Sequence, residues 1–451
     1  MFTKLTYKHI LMFAAITSFI SCAEDTDYIE ISDNFEDQKL KASLISLGGN
    51  LDYYIIPNSD DFASIPADPK NPINEHKVLL GKLLFHETGI GVNSKKDTHQ
   101  KTYSCASCHH SGAGFQSGMK QGIGDGGMGF GIHGEARIMA PDFTDDMVDV
   151  QPIKSPTVLN SAYQKLMLWN GQFGATDQNI GTEANWTTGT PKEVNKLGFE
   201  GVETQAIAGL TVHRMGITET FCSDYGYDEL FDKAFPEIDV KERYTLITAG
   251  LAIAAYERTL LANDTNFQNW LKGDVSAMTS NEKKGALLFF GKAQCFQCHS
   301  GPALNSEAFY ALGMNDLSGS DIHGPAVDEA TRKGRGGFTN NPADDYTFKV
   351  PQLYNLVDVQ FFGHGASFTS VRDVVVYKNN ANKENNSVTE SSLAKGFVPL
   401  GLNDEEIDLI TAFIEKSLVD HNLQRYNPTA LPTGLCFPNA DEVSRHDMGC
   451  N

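Results

Sequence analysis

At 451 residues, with 41% hydrophobic and 21% charged side chains, the chain has the make-up of a globular protein of two or three domains. A formal net charge of −21 speaks against nucleic acid or an anionic membrane face as a partner, since both repel an acidic surface. A basic donor protein would be steered toward such a surface, although acidity also simply keeps a protein soluble.

The chain opens with Lys4 and Lys8 before an apolar run, Ile10 to Ile20, too short to span a bilayer. The run ends in Phe19-Ile20-Ser21-Cys22, which resembles a bacterial lipobox. Residues 1–21 are therefore expected to be a lipoprotein signal peptide, with Cys22 as the lipid-attachment site; plain secretion with cleavage nearby is the alternative. Such an anchor would hold the protein to the bacterial cell envelope, periplasmic or at the outer-membrane surface, without spanning it. Residues 22–72 are polar and carry Pro57, Pro66, Pro69 and Pro72, which predicts a tether and an irregular lead-in.

From residue 73 the pattern becomes helical. Gly81-Lys82-Leu83-Leu84-Phe85 predicts an amphipathic helix, followed by a polar loop from Gly89 to Thr102. Then comes Cys105-Ala106-Ser107-Cys108-His109. Asp239 to Thr259 predicts one long connecting helix. Near residue 263 the arrangement starts again. Gly285-Ala286-Leu287-Leu288-Phe289 leads through a short turn, Gly291 to Gln294, into Cys295-Phe296-Gln297-Cys298-His299. Asp404 to Leu418 predicts a closing helix with Asn403 as its N-cap, and residues 421–451 form a tail. Among the cysteines outside the two motifs and the lipobox, Cys436–Cys450 is the most plausible disulfide and Cys222 is left over.

Both C-x-x-C-H strings carry the chemistry. Two thiols three residues apart on a tight turn reach the two vinyl groups of one porphyrin, and the adjoining His presents its imidazole to iron. Composition alone yields such a string on the order of 0.004 times in a chain of this length. A zinc knuckle or a redox dithiol does not need His after the second Cys at both sites. The expected cofactors are two covalently bound haem c groups, held by Cys105, Cys108 and His109 and by Cys295, Cys298 and His299. Strand signals are few, so the expected fold is mainly α, two cytochrome c-like haem domains (73–262 and 263–420) with long loops.

From about Leu80 to Ile414 the chain resembles the bacterial di-haem cytochrome c peroxidases, including the di-haem enzymes that mature methylamine dehydrogenase. The resemblance rests on Ser155-Pro156-Thr157-Val158-Leu159-Asn160, Trp169-Asn170-Gly171, Phe231-Asp232-Lys233-Ala234-Phe235-Pro236, Phe348-Lys349-Val350-Pro351 and His364 with Ser367-Phe368. It implies that hydrogen peroxide is reduced to water at the first haem. Electrons would come from a small donor protein, a cytochrome c or cupredoxin, through the second haem. It makes Trp169 an inter-haem residue and gives Gln205 its family place near the peroxide site. It also admits a homodimer.

The departures from the family are specific. The family's catalytic Glu falls on Met215, which carries no exchangeable proton, and makes His213 the nearest acid–base candidate. His213 as an iron ligand, or a structural His213 with Glu200 or Glu203 at work, are the competing readings. The family's distal His falls on Asp125, for which His133 in the Gly-rich loop Gly122 to Gly134 is a substitute. The sixth ligand of the second haem falls on Lys378, beside Tyr377, with Met314 as the alternative. Lys154 stands where the family has an Asn near calcium, which speaks against calcium here. A di-haem oxidase of a protein or organic substrate and a non-catalytic electron-transfer cytochrome are the other functional readings.

Overall fold

The computed structural model describes residues 26–450; the expected signal peptide, residues 1–21, and Cys22 lie outside that range. Helices run in the order α1 Thr26–Gly48, α2 Glu75–His86, α3 Gly201–Val212, α4 Glu219–Tyr225, α5 Tyr227–Ala234, α6 Val240–Arg243 and α7 Leu246–Arg258. They continue as α8 Asn266–Leu271, α9 Ser280–Phe289, α10 Glu329–Arg332, α11 Arg335–Thr339, α12 Val371–Asn380, α13 Asp404–Ala412 and α14 Glu442–Asp447. The strands described are two antiparallel pairs of two residues, Gly127–Met128 with Ile138–Met139 and Phe309–Tyr310 with Phe348–Lys349. The fold is mainly α, as expected.

The two leader helices are built alike. Asn74 caps α2 by accepting from the Lys77 amide, and Thr279 caps α9 in a reciprocal box with Glu282. Each packs against a later helix at a glycine. A Cβ on Gly81 would lie 1.9 Å from the Ala252 carbonyl oxygen of α7, and one on Gly285 would lie 2.0 Å from the Leu409 carbonyl oxygen of α13. The glycine at the head of each repeated Gly-x-Leu-Leu-Phe stretch is thus where two backbones touch.

Three expectations are corrected. Residues 35–72 are not a tether: Leu40 and Leu44 of α1 enter the same apolar core as Phe289 and Phe413. Asp37, nearly fully buried, accepts from Trp270 Nε1 at 2.7 Å and pairs with Lys283 Nζ at 2.9 Å, tying α1 to α8 and α9. The long helix over Asp239 to Thr259 is two helices. Thr245 leaves the helical region and its hydroxyl caps a new start at Thr248. The closing helix has its Asn403 cap, but after Ala412 it widens into a π-turn over Phe413–Ser417.

The tail returns to the first domain. Cys436 and Cys450 are disulfide-bonded, while Cys222 is free and buried. Ser104 donates to the Pro438 carbonyl at 2.8 Å, and the Ala440 amide donates to the Thr102 carbonyl at 3.0 Å. Asp441 accepts from the Gly129 amide and faces buried Arg137 at 3.6 Å. The tail therefore covers one flank of the first motif and braces the Gly-rich loop.

Candidate haem sites

Each motif folds as a single 3₁₀ turn, Cys105–Ser107 and Cys295–Gln297, whose tightness places two thiols on one side. The amides of His109 and His299 then bond back to the carbonyls of Cys105 and Cys295, at 3.1 and 2.9 Å. His109 Nδ1 donates to the Phe115 carbonyl at 3.3 Å, and His299 Nδ1 to the Leu304 carbonyl at 3.0 Å. With Nδ1 committed, Nε2 is the nitrogen left for a metal. Burial pushes both imidazoles down to about 4, so they are held neutral, the form that ligates.

All four motif thiols are free. Burial pushes Cys108 and Cys295 up to about 12 and raises Cys105 and Cys298 as well, the opposite of a reactive redox dithiol. Among the described residues no group of three or more His, Cys, Asp or Glu is arranged to hold a metal ion unaided.

The second motif opens on a cavity of about 600 Å³, mostly apolar, lined by Cys295, Cys298, His299, Met314, Lys378 and Trp169 among others. The Lys378 amine lies 5.9 Å over the Phe397 ring. Burial, against the opposing effect of Cys298 and Cys295, lowers it to about 8. Tyr377 does not reach this cavity. Its hydroxyl donates to the Leu312 carbonyl and its ring packs on Phe368 and Phe397, because consecutive helical positions point about 100° apart.

Trp169 stands on the cavity wall with its Nε1 donating to the Lys154 carbonyl at 2.9 Å. The Lys154 amide in turn donates to the His364 carbonyl. The Lys154 side chain is fully buried, with only the carbonyls of Ser117 and Met119 near its amine, at 3.3 and 3.5 Å, and burial lowers it to about 7. The turn after Trp169 is held by Arg335, which donates to the Gly171 carbonyl and to Asn179 Oδ1.

At the first motif, α3 ends in His213, Arg214 and Met215. Met215 is buried with its sulfur 3.9 Å from the Cys105 sulfur. A proton on His213 adds to what disfavours the imidazolium of His109. Its Nδ1 sits 2.9 Å from Oδ2 of Asp149, a residue the sequence did not single out. Burial disfavours the imidazolium, yet the Asp149 charge and hydrogen bond outweigh it and leave His213 raised, with Arg214 opposing. Gln205, two turns earlier on α3, has a buried Oε1 with no partner, an acceptor that a bound molecule can satisfy.

The remaining candidates fall elsewhere. His133 is exposed and bonded to the Gly112 carbonyl, next to His110, and is not brought to His213. Asp125 is fully buried in an ion pair with Arg214 and accepts from Ser94 and the Lys95 amide, so it holds the loop. Glu200 and Glu203 are both gripped by Arg258, at 3.0 and 2.7 Å, which leaves neither free to shuttle protons.

The family model described as di-haem cytochrome c peroxidase matches residues 75–276. Over those residues the chain is similar to the di-haem cytochrome c peroxidase family. Methylamine utilization protein MauG of Methylorubrum extorquens is 26% identical over 355 residues, covering 78% of this chain and 81% of that protein. Cytochrome c551 peroxidase of Pseudomonas aeruginosa is 26% identical over 310 residues, covering 69% and 73%. A crystal structure of a MauG-like protein associated with microbial copper homeostasis superposes with a TM-score of 0.56 at 21% identity, over 82% of this chain and 95% of that one, and so shares the fold. Similarity to that family implies two haem c groups, and both motifs fit them: paired free thiols, a neutral proximal imidazole, and at the second site a cavity with the Lys378 amine on its wall.

Proposed function

We propose that this chain is a peroxidase that reduces hydrogen peroxide to water. The haems, when bound, supply the iron that takes up peroxide and stores and relays electrons. The observation that carries the reading is the imidazole of His213, backed by Asp149 at 2.9 Å and two residues before Met215. Met215 stands where the family has its Glu, and its sulfur is 3.9 Å from that of Cys105. His213 accepts the proton of the peroxide oxygen nearer the metal and returns it to the farther oxygen, the acid–base help that O–O cleavage needs. Gln205 Oε1, a buried acceptor, takes a hydrogen bond from the bound peroxide in this reading. Trp169 lines the route between the sites, and a small cytochrome c or cupredoxin delivers electrons to the second haem.

For the sixth position at the second haem we favour Lys378, whose amine stands on the cavity wall over the Phe397 ring. Lys154 places a buried amine against two carbonyls where the family has its calcium neighbour, so no calcium enters this reading.

The decisive experiment is stopped-flow reaction of the half-reduced protein with hydrogen peroxide. His213→Gln is expected to lower the rate by roughly two orders of magnitude or more with the iron spin state unchanged. A low-spin to high-spin change would make His213 an iron ligand instead. Two low-spin haems and no peroxide turnover in the wild type would point to an electron carrier, and peroxide-dependent oxidation of an added protein to the oxidase reading.

The address at the N-terminus supports a lipid-anchored envelope protein. The wild type is expected to partition with membranes and Cys22→Ser to become soluble. Wholly soluble wild-type protein would leave secretion alone standing.

A further inference from the structure

We propose that Asp149 positions His213, so that a carboxylate–imidazole pair does the proton work at the first haem site. The inference rests on the peroxidase reading above and adds a residue to it.

The pair is built by the backbone around it. The Asp149 amide donates to the Asp125 carbonyl and the Asp149 carbonyl accepts from the Gly124 amide, both at 2.9 Å. This two-bond ladder fixes Asp149 against the Gly-rich loop. A Cβ on Gly124 would lie 2.4 Å from Asp149 Oδ2, so a residue without one lets the carboxylate come this close. Neighbouring acids thus hold neighbouring residues of the α3 exit: Asp125 takes Arg214 at 2.5 Å and Asp149 takes His213 at 2.9 Å. Asp149 is 5% exposed, whereas 36% of the His213 side chain remains accessible. One edge of the imidazole is therefore committed to protein and the other is open.

That division of edges sets the chemistry. An Asp149 carboxylate accepts the Nδ1 proton and leaves the Nε2 lone pair as the proton acceptor. Nε2 takes a proton from the near peroxide oxygen, and the imidazolium is stabilised by Asp149. As the O–O bond breaks, Nε2 hands the proton to the far oxygen, which leaves as water. Both of the peroxide's own protons leave in that water, and two electrons from the haems, replaced by the donor protein, with two protons from solvent make the second: one peroxide, two electrons and two protons give two waters. The other charged or titratable groups around the pair are Arg137, Tyr103 and Cys108 near Asp149, and Arg214 and His109 near His213.

The test is the pH profile of the peroxide reaction in half-reduced holoprotein, with Asp149→Asn, Asp149→Glu, His213→Gln and the Asp149→Asn/His213→Gln pair. Asp149→Asn should lower the plateau rate about 10²-fold and move the acid limb to lower pH, because His213 loses the charge that favours its proton. Electron paramagnetic resonance should show the iron unchanged, Asp149→Glu should recover part of the rate, and the double variant should be no slower than His213→Gln. An unmoved acid limb in Asp149→Asn, or an equal loss on either His213 background, overturns the positioning role while leaving the peroxidase reading intact. A wild-type rate in His213→Gln removes both His213 and this proposal.

Discussion

With Lys378 in the sixth position proposed above, a single side chain would reset a haem. A neutral thioether favours ferrous iron, whereas an amine is the stronger donor to ferric iron and lowers the potential. The wild type should therefore lack the near-infrared band of thioether ligation, and Lys378→Met should gain it together with a higher potential. A thioether band in the wild type that vanishes in Met314→Ala would assign the bond to Met314. The ligand residues themselves were legible in sequence because attachment chemistry fixes their spacing within five positions. Asp149 was not, since it meets His213 from 64 residues away and stands in a stretch with Asp142, Asp145 and Asp146 that offers no reason to choose it. Where His133 stands, against the Gly112 carbonyl, was not legible for a related reason: its distance in sequence from the motif says nothing about which side of it the loop returns on.

At the scale of helices, the two crossings at Gly81 and Gly285 make a sharper test than any apolar contact. Adding a methyl at either point drives it into a backbone carbonyl, which cannot turn away as a side chain can. Gly81→Ala and Gly285→Ala should each cost at least the 1–3 kcal/mol, roughly, of overpacking, read as a lowered denaturation midpoint. Gly273→Ala, with no neighbour near its Cβ but a positive φ of 111°, separates strain of conformation from collision. An undisturbed Gly81→Ala protein would refute the close crossing. Sequence showed these helices because apolar periodicity and caps are local, as at Asn403 with Glu406. It missed the break before Thr245, where a capping hydroxyl interrupts an apolar run that otherwise reads through. It missed α1 for the opposite reason: a polar, acidic stretch becomes core through a few contacts, Asp37, Leu40 and Leu44, that exist only after α9 is in place.

For the whole molecule the ends matter more than their length suggests. The disulfide closes a 14-residue separation, and a loop of that size is worth about 3 kcal/mol in the chain-entropy model. Cys436→Ser/Cys450→Ser should lose stability of that order in denaturant and expose the loop around Gly122 to Gly134 to proteolysis. Loss of stability without loop cleavage would mean that Asp441 and Arg137 hold the loop alone.

The two ends also cross. The N-terminal helix α1 belongs to the core around the second motif, and the C-terminal tail closes over the first. A chain delivered from its N-terminus thus begins with a piece whose partner, α9, emerges more than two hundred residues later. It finishes its first domain only when the last thirty residues arrive. Domains that are contiguous in sequence can fold as they appear; these two cannot, and the closures that complete them are of the long-range kind that slow folding. Until the tail docks, Ser104 and Ser107 lack the Pro438 carbonyl and Asn439 side chain that cover them, and the first Cys-x-x-Cys-His turn stays open to whatever joins porphyrin to its thiols.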